Sequence, residues 1–143
     1  MEMVSMLGML GVLSVEDVKT KEIRKQFILL FGILGLVLHL IFQRIDIWNI
    51  LGGLSIGLVL LGISYFSREQ IGKGDGVLFL VTGIFLGFWD NLMLLWSASL
   101  LMGIYAMIMC AMGRLHRDDR IPFIPFVLIC YVIGLAMKGT GIL

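Results

Sequence analysis

The chain has 143 residues and a formal net charge of +1; 59% of its residues are apolar and only 15% are charged, against roughly 25% charged in an average soluble domain. So few polar residues cannot coat a water-soluble domain, and runs such as Leu92 to Gly113 leave no polar face, so lipid must cover the outside. The near-neutral charge, with basic residues in short clusters between apolar runs, also excludes a nucleic-acid partner.

Splitting the sequence at its charged clusters predicts six apolar membrane segments: Met3 to Val15, Phe27 to Phe42, Ile45 to Phe66, Val77 to Trp89, Leu92 to Gly113 and Ile121 to Met137. The first has Glu2 ahead of it and neither a basic n-region nor a cleavage-site pattern, so it reads as part of the mature protein rather than a signal peptide. Several segments are shorter than the ~20 residues a straight helix needs to cross hydrocarbon, so helix ends extend into the polar flanks or the bilayer thins around them. The third segment carries Gly52, Gly53 and Gly57, and the last two of these fit the small-xxx-small pattern that lets helix backbones approach closely in lipid. The fourth and fifth divide at Asp90 and Asn91. A single helix over both would be about 55 Å long at 1.5 Å per residue, far beyond the ~30 Å hydrocarbon core. No fixed-period repeat and no long linker interrupts the chain. The expectation is therefore all-α: a polytopic bundle of six transmembrane helices forming one domain over residues 1–143.

Charge placement orients this bundle. With six spans, loops one, three and five fall on one side and hold Lys19, Lys21, Arg24, Lys25, Arg68, Lys73, Arg114, Arg117 and Arg120, nine of the eleven basic residues; only Arg44 and Lys138 lie opposite. Merging the fourth and fifth spans would reduce the split to seven against four. The positive-inside rule places those three loops in the cytoplasm and both termini outside.

Two acids then share the cytoplasmic rim. Asp17 follows the first span, and Asp75 opens the fourth within Gly72-Lys73-Gly74-Asp75-Gly76. Two carboxylates brought together cannot both ionise cheaply, so one proton is shared. The ionised member can activate a water while the protonated one polarises a carbonyl, a route to peptide hydrolysis that uses no metal, cofactor or covalent intermediate. Gly72, Gly74 and Gly76 lack Cβ atoms that would keep a substrate strand and the facing helix away from Asp75. The same residues also read as a loop ending in an ordinary Asp N-cap.

Other polar residues have simpler readings. There is no C-x-x-C pair, and His39 and His116 have no clustered ligands, so no zinc site and no cofactor is expected. Cys110 and Cys130 lie in apolar runs and read as buried small hydrophobes. Asp90 reads as a turn and cap residue at the face opposite the two acids, Asp46 as interfacial, and Asp118 and Asp119 as solvated or locally paired charge. Trp48, Trp89 and Trp96 suit packing and membrane anchoring, and Pro122 and Pro125 suit the start of the sixth helix.

Three blocks in order, Asp17 through Lys25, Gly72-Lys73-Gly74-Asp75 opening a hydrophobic helix, and Ile121-Pro122-Phe123-Ile124-Pro125-Phe126, resemble the peptidase domain of type IV prepilin and archaeal preflagellin peptidases, membrane aspartyl proteases with a GxGD motif. The resemblance implies that Asp17 and Asp75 are catalytic, that Pro122 and Pro125 help shape the floor of the active site, and that the partner is a prepilin-like substrate. Its short basic leader would be cut after a glycine at the cytoplasmic face, ahead of a helix that stays in the bilayer. The cysteine-bearing N-terminal domain of bifunctional members has no counterpart, so peptidase activity without methyltransferase activity is expected. Two positions depart from the family pattern: Ile23-Arg24-Lys25 stands where Ile-Pro-Asn is usual, and Val77 where a lysine is frequent. Rival readings are a catalytically inactive peptidase-like protein that binds prepilins without cutting them, and a non-enzymatic membrane subunit such as an assembly factor or transporter component.

Overall fold

In the computed structural model, residues 2–20, 25–42, 46–66, 73–114 and 121–140 are described. They form five helical elements: α1 (Glu2–Thr20), α2 (Lys25–Phe42), α3 (Ile47–Phe66), α4 (Lys73–Ala111) and α5 (Ile124–Gly139), with no strand among the described residues. Of these, α3 and α4 are long and apolar enough to cross a membrane. Large side chains such as Trp48, 78% exposed, and Phe66, 87% exposed, project outward, as expected of a surface solvated by lipid rather than water.

The 39 residues of α4 are not one rod. Gly87 has φ 73° and ψ −167°, a combination open in practice to glycine alone, and it divides α4 into two helical limbs. Asn91 shows how far the second limb folds back. Its side-chain amide donates to the Phe79 carbonyl at 3.0 Å, although twelve residues of straight helix would separate those groups by about 18 Å. The chain thus breaks near the position expected from the sequence, but the residue responsible is Gly87 rather than the Asp90-Asn91 pair. Far from marking a polar turn, Asn91 is fully buried. It also donates to the Gly53 carbonyl at 3.2 Å and accepts from the Thr82 hydroxyl at 2.7 Å, so it ties both limbs to α3. Each of these bonds matters in an apolar interior, where an orphaned buried polar group costs about 1–3 kcal/mol.

Glycines set the helix spacing. A Cβ on Gly53 would sit 2.9 Å from the Gly83 Cα, one on Gly57 would meet Leu80 Cα at 2.7 Å, and one on Gly76 would meet Leu61 Cγ at 2.8 Å. The pairings run in opposite directions along the two chains, so α3 lies antiparallel to the first limb of α4, backbone against backbone. On the other side, Gly32 faces Val81 and Gly35 faces Phe85, so α2 runs parallel to the same limb. The small-xxx-small pair Gly53 and Gly57 therefore packs as its pattern suggests.

The core draws on all five helices, with Ile56 from α3. It includes Met6, Met9, Leu10 and Leu13 of α1, Ile28 of α2, Leu78, Phe79 and Phe85 of α4, and Ile124, Val127 and Tyr131 of α5. Cys130 packs partly against this cluster, but Cys110 is exposed on the second limb of α4. The expectation of a buried Cys110 is thus corrected. An apolar run covered by lipid has no need to turn every small hydrophobe inward.

Candidate active site

Helical periodicity carries Asp17 into the interior. Met6, Leu10 and Leu13 recur at the i, i+4, i+7 spacing of one helix face, and Asp17 continues that stripe one turn further. The first helix runs on to Thr20, so Asp17 lies inside its last turns rather than after its end. Only 6% of Asp17 is exposed. In the same way Asp75, in the first turn of α4, stands one turn ahead of Leu78 and Phe79 on the buried face of its limb. Both acids lie outside the apolar stretches Met3 to Val15 and Val77 to Trp89, in the polar flanks of their helices.

Asp17 is held by the beginning of α5. The Ile124 backbone N–H donates to Asp17 Oδ2 at 3.0 Å, across 107 residues of sequence. The N-cap residue Phe123 supplies no side-chain cap, so α5 takes its N-terminal partner from another helix. Phe123 also packs its ring against Phe79, with centroids 6.2 Å apart. The start of α5 therefore sits between the end of α1 and the start of α4, the two helices that carry the acids.

The electrostatics agree with this placement. Burial raises the Asp75 pKa from 3.8 to about 7, and the negative charge of Asp17 adds to the rise. That second cause requires the two carboxyls to be near each other, because charge–charge effects fade within a few ångströms in water and reach further only where water is excluded. Asp17 is also raised by burial, but the backbone N–H groups of Ile124 and Phe123 pull it back down. The two acids differ in their surroundings: main-chain hydrogen bonds at the start of α5 favour the charged form of Asp17, whereas burial and the Asp17 charge both disfavour the charged form of Asp75.

The remaining predicted site residues are distributed as follows. Gly74 and Gly76 lie in the first turn of α4, and Gly76 packs closely against Leu61 of α3. Its missing Cβ thus serves the facing helix. Gly72 lies outside the described residues, as do Arg24, Asp118 and Asp119. Pro125 is the second residue of α5 and Pro122 lies two residues before Ile124, so both flank the Ile124 N–H that holds Asp17. At the far end of α5, Lys138 pairs with Asp90 at 2.5 Å. Fourteen residues of helix put that pair about 21 Å from Ile124, so Asp90 belongs to the opposite end of the bundle. Sequence reasoning missed the main-chain contact at Ile124. A backbone donor has no side-chain signature, and the neighbouring prolines were its only trace. Among the described residues no group of His, Cys, Asp and Glu could hold a metal ion.

Comparison with known proteins gives one match. A family model for the type IV leader peptidase family matches residues 4–107, a span that takes in both acids and ends before α5. No curated protein and no solved structure matches.

Proposed function

This chain belongs to the type IV leader peptidase family, and from that premise we propose that it is a membrane aspartyl endopeptidase with Asp17 and Asp75 as its catalytic pair. Its substrate is a type IV prepilin-like or preflagellin-like protein, whose basic leader it removes at the cytoplasmic face of the cell membrane. The observation that carries this reading is the burial of Asp17 against the start of α5, where the Ile124 N–H holds it at 3.0 Å and the Phe123 ring packs on Phe79, one turn beyond Asp75 on another helix. An isolated N-cap aspartate would have no buried acidic neighbour.

The chemistry follows from the unequal pair. An ionised carboxylate takes a proton from a water held between the two acids, and the water oxygen attacks the scissile carbonyl carbon. The protonated carboxyl gives its proton to the carbonyl oxygen as the tetrahedral intermediate forms. Collapse of that intermediate breaks the C–N bond, and the leaving nitrogen takes the proton the base acquired. Such a reaction needs one acid of each kind, so cleavage should fall as pH rises through about 7, where Asp75 loses its proton. Six membrane passes, with loops one, three and five inside, put the pair at the cytoplasmic rim, where a basic leader would arrive.

Co-expression with an epitope-tagged prepilin tests the proposal. A leader-sized mobility shift is expected with the unaltered chain and should vanish in both Asp17→Asn and Asp75→Asn. Cleavage that survives either substitution removes the dyad. A substrate that is never shortened by the unaltered chain favours the inactive or non-enzymatic readings.

A further inference from the structure

Four backbone N–H groups at a helix start have no partner within the helix, and each must be accounted for. In α5 the accounting is nearly closed. Phe126 and Val127 donate to the Phe123 carbonyl at 3.0 and 3.3 Å, and Pro125 has no N–H to satisfy. That leaves the N-cap Phe123, whose N–H also acts on Asp17, and Ile124, fully buried, whose N–H donates to Asp17 Oδ2 at 3.0 Å. The helix has no side-chain cap of its own. A carboxylate is the best available partner for such a group, since the N-terminal end of a helix carries partial positive charge.

We infer that Ile124 is a positioning residue: its N–H, with the field at the start of α5 behind it, holds Asp17 ionised and oriented as the water-activating member, leaving the shared proton on Asp75. This rests on the dyad reading above and adds to it an assignment of the two roles. It also gives the Pro122-to-Pro125 segment a task. Pro125 at the second helical position fixes the local φ and removes a competing donor, so the N–H groups left facing Asp17 at the start of α5 are those of Ile124 and its N-cap neighbour Phe123.

The surroundings of Asp17 contain little else that could do this. Among the described side chains, α4 brings Asp75, which is acidic and opposes ionisation. The start of α5, Ile124 to Leu128, is uncharged. On α1 itself Glu16 and Lys19 are the neighbouring charges, and Lys19 is exposed. Burial raises the Asp17 pKa above its ordinary value, and the Ile124 and Phe123 backbone groups are the causes that oppose that rise.

Two experiments test the assignment. The first reads carboxyl protonation directly, by ¹³C NMR of aspartate-labelled protein in lipid nanodiscs. Asp17 in the Asp75→Asn protein should titrate at a lower pH than Asp75 in the Asp17→Asn protein; the reverse order overturns the inference. This comparison needs no change at Ile124 and no activity. The second removes the donor. Proline is well tolerated at the first helical position, so Ile124→Pro deletes the N–H, and it should move the acid limb of the cleavage–pH profile up by about one to two pH units. Ile124→Ala, which keeps the N–H, should leave the limb in place. An unmoved limb in a cleaving Ile124→Pro protein, or an equal shift in both variants, refutes the assignment. Should Ile124→Pro not cleave, the titration order alone decides. If Asp17→Asn or Asp75→Asn still cleaves, the dyad itself fails. If both are inactive but the order is reversed, only the role of Ile124 fails.

Discussion

Replacing Gly53 by alanine should separate α3 from α4 and weaken the whole bundle. The added Cβ would lie 2.9 Å from both the Cα and the carbonyl carbon of Gly83, where ordinary contact begins at 3.4 Å. Those are backbone atoms, so no rotamer change relieves them, and the helices must part by at least about 0.5 Å. The Asn91 amide reaches the Gly53 carbonyl at 3.2 Å, so the same movement stretches that bond past the usual limit. Overpacking costs about 1–3 kcal/mol and the lost hydrogen bond about 1 kcal/mol, while alanine returns up to about 1 kcal/mol in helix propensity. The net is a destabilisation of roughly 1–3 kcal/mol. Gly62, in the same helix, has nothing within 4 Å of its Cβ position, so Gly62→Ala should be neutral or mildly stabilising. Equilibrium unfolding in mixed micelles, followed by circular dichroism, measures both. If Gly53→Ala proves as stable as Gly62→Ala, the close backbone packing of α3 on α4 is wrong.

Further expectations concern the kink, the acids and the far end of the bundle. Gly87→Ala forces a side chain into a backbone region reserved for glycine and should cost about 1–3 kcal/mol, read by the same unfolding assay; an unchanged midpoint would mean that the limbs of α4 do not turn there. The folded-state pKa of Asp75 is raised from 3.8 to about 7, so the folded form binds this proton more tightly than the unfolded form does. Its contribution is fully present below about pH 4 and is lost as pH rises through about 7. Thermal stability should therefore fall between those limits, and Asp75→Asn should flatten the decline and exceed the unaltered protein at pH 8; parallel profiles would refute this. Lys138→Ala breaks an ion pair whose side chains are 54% and 47% exposed, so it should cost under about 1 kcal/mol and leave prepilin cleavage intact. A cleavage defect there would place the working end of the molecule wrongly.

The sequence by itself determined the all-helical character and the strongly apolar composition, because these follow from residue content and local spacing. The stripe Met6, Leu10, Leu13 and Asp17 even marks which face of α1 turns inward, and Gly53 with Gly57 marks a close helix contact. The break in α4 was half legible. Length forbade one rod, but the polar pair Asp90 and Asn91 drew attention from Gly87, since a glycine inside an apolar run looks like any other small residue until its φ is known. Only the tertiary structure decided that Asn91 is a buried clasp, that Cys110 faces outward, and that the Ile124 N–H meets Asp17. Those outcomes depend on which helix lies beside which, and a main-chain donor at position 124 is invisible to any pattern of side chains. Proton sharing, as proposed for Asp17 and Asp75, needs two carboxyls in one water-poor place, so it would be a property of the packed bundle and not of either motif alone.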